Sequence, residues 1–120
     1  MVQKLPSEIE NKLAKLQELQ DQLKMILMRK QQLQLQLRES ENALSEVKKL
    51  GDDSEVYKSA GFVLFKSSKE KVLEELTDKK ETLELRIKTV EKQENLIRRQ
   101  FEELRKDVAR VLSGSNLPKG

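Results

Sequence analysis

The sequence predicts a mainly α fold: a long antiparallel two-helix coiled coil with one β-hairpin at its centre. Three observations predict it. Two long stretches, 7–50 and 62–113, contain neither Pro nor Gly apart from the isolated Gly51 beyond the first; an apolar seven-residue repeat runs through both; and a short β-prone segment lies between them. The first stretch opens with Ser7-Glu8-Ile9-Glu10, a capping box in which the serine hydroxyl accepts from a helical amide while the glutamate reaches back to the cap. It is rich in Leu, Lys, Glu, Gln and Arg, all strong helix formers, and Gly51 supplies a stop. The second helix is expected to begin near Ser67-Ser68-Lys69-Glu70, the same device again, and to end at Ser113-Gly114. Helices over about 7–50 and 68–113 therefore flank a hairpin over about 55–66, in one domain spanning 1–120.

A heptad frame through the first helix places Ile9, Leu16, Leu23, Lys30, Leu37 and Leu44 at one seam position. Lys12, Leu19, Ile26, Leu33, Ser40 and Val47 occupy the other. The second helix gives Leu73, Lys80, Ile87, Glu94, Phe101 and Val108, then Leu76, Leu83, Val90, Ile97, Leu104 and Val111. A repeat this long argues for a coiled coil rather than an amphipathic helix lying on a globular core. The two seams match when the chain folds back so that facing residue numbers sum to about 120, which pairs Ile9 with Val111, Leu16 with Leu104 and Leu44 with Leu76. Ser40 and Lys80 then share one polar layer, whose expected role is to fix register. Glu8/Lys12, Glu75/Lys79, Glu84/Lys88, Glu94/Arg98 and Glu102/Lys106 are spaced for ion pairs on the exposed faces.

The connector has a different character. Asp52-Asp53-Ser54 is turn-like, Glu55-Val56-Tyr57-Lys58 contains β-formers, Ser59-Ala60-Gly61 is suited to a three-residue turn, and Phe62-Val63-Leu64-Phe65-Lys66 is the most strand-like segment of the chain. Alternation puts Phe62 and Leu64 on one face of this strand, Val63 and Phe65 on the other. An isolated two-stranded hairpin is marginal in water, and its open edges accept further strands. Oligomerisation through the hairpin is the expectation.

Composition narrows the chemistry. The 120 residues include no His, Cys or Trp, 38% are charged, and 24 Lys+Arg against 21 Asp+Glu leave a net charge of +3. A zinc-finger cage, a histidine-assisted nucleophile and a disulfide framework are all excluded. Glu74-Glu75 and Glu102-Glu103 are adjacent on helices and converge on no pocket, and the four glycines are isolated, so neither catalysis nor a phosphate-cradling loop is indicated. No cofactor and no metal are expected. The charges alternate in sign, and Arg98, Arg99, Arg105, Lys106 and Arg110 are diluted by Glu102, Glu103 and Asp107, which reads as a solvated face rather than a nucleic-acid surface. The longest apolar run, Phe62 to Phe65, is far short of the roughly 20 residues that span a bilayer, and no apolar signal-peptide core is apparent. A cytoplasmic protein with neither nucleic-acid nor membrane partners is expected.

The stretches "DDSEVYKSAG" (52–61), "FVLFK" (62–66) and "ETLELRIKTVEKQE" (81–94), set between arms of matched length, resemble the β-type subunits of archaeal prefoldin. The resemblance covers nearly the whole chain, and a connector with room for only one hairpin points to the β rather than the α type. It implies a hetero-hexamer of two α-type and four β-type subunits whose hairpins form an oligomeric β-barrel. It further implies a molecular chaperone that holds unfolded polypeptides at the coiled-coil tips and delivers them to a group II chaperonin without ATP. Carried onto this chain, the assembly residues are Val56, Tyr57, Phe62, Val63, Leu64 and Phe65. Clients would meet Val2, Leu5, Ile9, Leu13, Ala14 and Leu16 on one helix end, and Leu104, Val108, Val111 and Leu112 on the other. Arg110 and Lys119 are candidates for chaperonin docking. Fraying at the open end of a coiled coil agrees with such a role, since seam residues there are least constrained. The competing reading is a structural adaptor or tether that binds one specific helical partner.

Overall fold

A computed structural model describes residues 7–116. The order of elements is helix α1 (Ser7–Lys48), strand β1 (Val56–Ala60), strand β2 (Val63–Ser67) and helix α2 (Lys69–Asn116). The strands form a two-stranded antiparallel sheet. Two units can be distinguished among the described residues: 30–89, which hold the hairpin and the helix segments flanking it, and 7–29 with 90–116, which hold the N-terminal part of α1 and the C-terminal part of α2.

The heptad frame is visible in the burial. All twelve seam positions of α1 and all twelve of α2 are buried or half-buried. In the hairpin unit the seam includes buried Leu33, Leu44 and Leu83; in the other unit it includes buried Ile9, Leu19, Val90 and Val108. Each leucine or isoleucine removed from water in this way contributes about 1.5–3 kcal/mol before the cost of ordering the chain. Interhelical ion pairs mark the register inside each unit. Lys80 Nζ lies 3.7 Å from Glu41 in the hairpin unit, and Lys12 Nζ lies 2.7 Å from Asp107 in the other. Both pairs fall within one residue of the expected alignment. Ser40 is buried in the seam beside the Lys80–Glu41 pair.

Element ends differ from the expectation in three places. α1 stops at Lys48, where the amides of Lys49 and Leu50 donate to Glu46 and Val47 at 3.2 and 3.1 Å, a tightening of the last turn by i→i−3 bonds. Gly51 has no positive φ, so no left-handed cap ends the helix. At α2 the cap is Ser68 rather than Ser67: the Lys71 amide donates to Ser68 Oγ at 3.2 Å, while Ser67 is still in β2, opposite Val56. Glu70 is thereby one residue short of the reciprocal capping-box position, although it still carries favourable charge in the first turn. Finally, α2 continues through Gly114 to Asn116, because one glycine costs a helix only about 1 kcal/mol relative to alanine.

Candidate functional site

The hairpin is built on a two-residue turn, not the three-residue turn expected from Ser59-Ala60-Gly61. Ala60 pairs with Val63, leaving Gly61 and Phe62 as the loop. Gly61 has φ +60°, and no non-glycine residue has positive φ. Positive φ at the first loop residue alone is the type II′ arrangement, whose twist suits the flanking strands. Phe62 therefore sits at the turn, and the pleat does not set its direction. Residues directly opposite in an antiparallel pair share a face, so Val56, Lys58, Ala60, Val63, Phe65 and Ser67 form one face. Tyr57, Ser59, Leu64 and Lys66 form the other.

The two faces are unequal. Val56 is buried within the single chain, and Lys58 Nζ makes a 2.7 Å ion pair with Glu75 of α2. A shallow groove between the hairpin and the start of α2 is lined by Phe65, Lys58, Lys71 and Glu75. This face is thus tied to its own helix. Tyr57, Phe62, Val63, Leu64 and Phe65 are all exposed, Phe62 completely. Of the six predicted assembly residues, Val56 alone is buried within the single chain. The other five are exposed apolar side chains distributed over the turn and both faces of the hairpin. Tyr57 Oη donates to Glu55 at 3.1 Å, leaving its ring open.

At the other unit the predicted client residues divide by position in the seam. Ile9 is 1% exposed and Val108 5%, so both are sealed between the helices. Leu16, Leu104, Val111 and Leu112 are half-buried, Ala14 is exposed, and Leu13 is 39% exposed on the outer surface. Val2, Leu5 and Lys119 lie outside the described residues; Arg110 is exposed. Among the described residues, Ile9, Leu16, Leu104, Val108, Val111 and Leu112 have most of their surface hidden, while Leu13 and Ala14 do not.

Several contacts lie beyond sequence reasoning because they join distant positions. Lys69 Nζ donates to the Leu50 carbonyl at 2.7 Å and meets Asp52 at 3.3 Å, stapling the connector to the start of α2. Lys12 bonds Asp107 across the helices, and two contacts along the helices extend that pair: the expected Glu8, 3.3 Å from Lys12, and Arg110, 3.5 Å from Asp107. The hydrogen bond to Asp107 raises the Lys12 pKa and, reciprocally, the bond from Lys12 lowers that of Asp107. Of the pairs expected along the helices, Glu8–Lys12 and Glu94–Arg98 form. Glu75 is taken instead by Lys58, and Glu102 by Arg105 one turn on.

The perturbed groups therefore all lie in ion pairs, and of them Asp107 also lines an open groove with Leu19, Leu104 and Arg110. Among the described residues no cluster of three or more Asp or Glu could hold a metal ion. No helix among them is long and apolar enough to cross a membrane. What the chain offers chemically is apolar surface at the hairpin and concealed apolar surface at the helix ends.

Comparison with known proteins agrees with this anatomy. The Prefoldin subunit family model matches residues 10–115. The prefoldin subunit beta of Archaeoglobus fulgidus is 43% identical over 109 residues, covering 91% of this chain and 94% of that one. Its counterpart in Sulfurisphaera tokodaii is 45% identical over 113 residues, covering 94% and 90%. The crystal structure of the prefoldin beta subunit from Thermococcus strain KS-1 superimposes with a TM-score of 0.85 at 34% identity, covering 98% of this chain and 100% of that one. With two long helices, one hairpin and this likeness over almost its whole length, the chain belongs to the prefoldin subunit family of chaperone components, on the β side of that family.

Proposed function

We propose that this chain is a non-catalytic holdase subunit. Its hairpin joins those of α-type partners, two α to four β subunits in a barrel-based hexamer. Unfolded polypeptides are held at the helix ends, kept from aggregating in the cytoplasm, and passed to a group II chaperonin without ATP. The observation that carries the reading is the hairpin: five exposed apolar side chains spread over a turn and both faces of a two-stranded sheet. Such a sheet is marginal alone and gains stability by adding strands. Assembly then places several helix ends around one client, and multivalency supplies avidity where each contact is weak.

The test is light scattering from a denatured, unrelated enzyme diluted into buffer containing this chain mixed with an α-type subunit, without nucleotide. Suppressed aggregation at near-stoichiometric amounts, with no binding of the native enzyme, is the expected result. A correctly assembled oligomer that leaves aggregation unchanged would overturn the holdase reading and favour an adaptor for one helical partner.

A further inference from the structure

We propose that Lys12, Glu8, Asp107 and Arg110 form an ionic latch that gates the apolar seam at the helix ends, opening it to segments of unfolded polypeptide. The proposal rests on the holdase reading and names the regulation of that same site. Lys12 occupies a seam position between Ile9 and Leu16, where the heptad frame calls for an apolar residue. Its ammonium reaches across to Asp107 of α2 at 2.7 Å and along α1 to Glu8 at 3.3 Å, and Arg110 holds the other Asp107 oxygen at 3.5 Å. Two positive and two negative groups thus close this end of the interface, with both side chains of the central pair half-buried.

Beneath the latch lie the side chains a client would need. Ile9 and Val108 are among the most buried residues of the chain, so a closed end presents little to an apolar segment. A leucine at position 12 would hold the helices together by burial, a strong and salt-insensitive attraction. A partly exposed ion pair, with side chains 23% and 38% exposed, contributes far less and is screened by salt. The fold therefore places the weaker kind of contact at one seam position among its last apolar layers. Parting the helices here exchanges protein ion pairs for hydrated charges at little net cost, and the main cost is the apolar area uncovered at Ile9, Leu16, Val108 and Val111. An incoming apolar segment then recovers that exposed area. Binding is by population shift toward the open end, and release lets the latch close again.

Two full-length variants pull the equilibrium in opposite directions. Lys12→Leu replaces the latch with an apolar layer; Asp107→Asn keeps the shape and removes the cross-helix charge. Amide hydrogen exchange is measured in the assembled oligomer without client, and capture of a denatured enzyme is measured separately by light scattering. Lys12→Leu should slow exchange in 9–16 and 104–111 by about tenfold or more and reduce capture. Asp107→Asn should accelerate exchange there and increase capture. Exchange unchanged in both variants would overturn the latch without touching the holdase reading. Exchange that shifts as expected while capture stays constant would overturn the gate and move client binding away from the seam.

Discussion

Replacing Phe62 and Leu64 together by lysine should dissociate the assembled protein while leaving both helices intact. Phe62 is 109% exposed and Leu64 67%, so almost all of the first side chain and roughly two thirds of the second remain to be buried on association. At about 1.5–3 kcal/mol for a fully buried side chain, the pair supplies about 2.5–5 kcal/mol per subunit, with about 4 at the middle of that range, when association covers both completely. Losing it weakens each association about a thousandfold. The hairpin should survive, since the II′ turn depends on Gly61, whose φ is +60°, and Leu64 lies on the face opposite the Lys58–Glu75 tie. Sedimentation velocity at micromolar concentration reads the mass, and circular dichroism the helix content. A variant that keeps the parental mass would refute hairpin-driven assembly; one that loses helix would show that the hairpin supports the coiled coil rather than the oligomer.

Three further expectations come from the helix ends. Ser68→Ala should destabilise the chain by about 1 kcal/mol in thermal unfolding, the usual worth of a helix cap, with Ser67→Ala costing less; equal effects would contradict the cap seen at Ser68. Gly114→Ala should stabilise the end of α2 by about 0.5–1 kcal/mol, because nothing lies within 4 Å of the added methyl, and slower amide exchange over 109–116 checks it. The Asp107 carboxyl, held below its ordinary pKa by the hydrogen bond from Lys12, should titrate below the ordinary aspartate range by NMR and move back toward it in Lys12→Leu. Its contribution is complete above the ordinary aspartate value and is lost as pH falls through the lowered one. The raised Lys12 adds a contribution that disappears only above the ordinary lysine range. The pair therefore holds at constant strength across neutral pH.

The coiled coil was legible because period-seven burial is a local, repetitive signal: every one of the seam positions read from the heptad frame is at least half-buried. Register was legible too, since seams of matched length admit few alignments, and the Lys12–Asp107 and Glu41–Lys80 pairs fall within one residue of the one chosen. Phe62 illustrates where propensity misleads. An aromatic next to Val63 reads as strand, yet the positive φ of Gly61 makes a two-residue turn that puts the ring at the tip. Gly114 misleads in the other direction, as a stop signal that surrounding helix formers override. Val56 reads as one more assembly residue, and its burial depends on packing within the chain that no local pattern encodes. The Lys69 staple and the Lys12 network were invisible for the same reason, since each joins residues far apart in the chain.

The most direct test of the central claim is site-specific photo-crosslinking in the assembled oligomer, with the probe at exposed Leu13 near the helix ends or at Phe62 on the hairpin. A denatured enzyme should crosslink to the Leu13 probe, the native enzyme to neither, and the Phe62 probe should capture neighbouring subunits. Client crosslinks from Phe62 and none from Leu13 would contradict an assembly whose hairpins hold the subunits together while its helix ends hold the client.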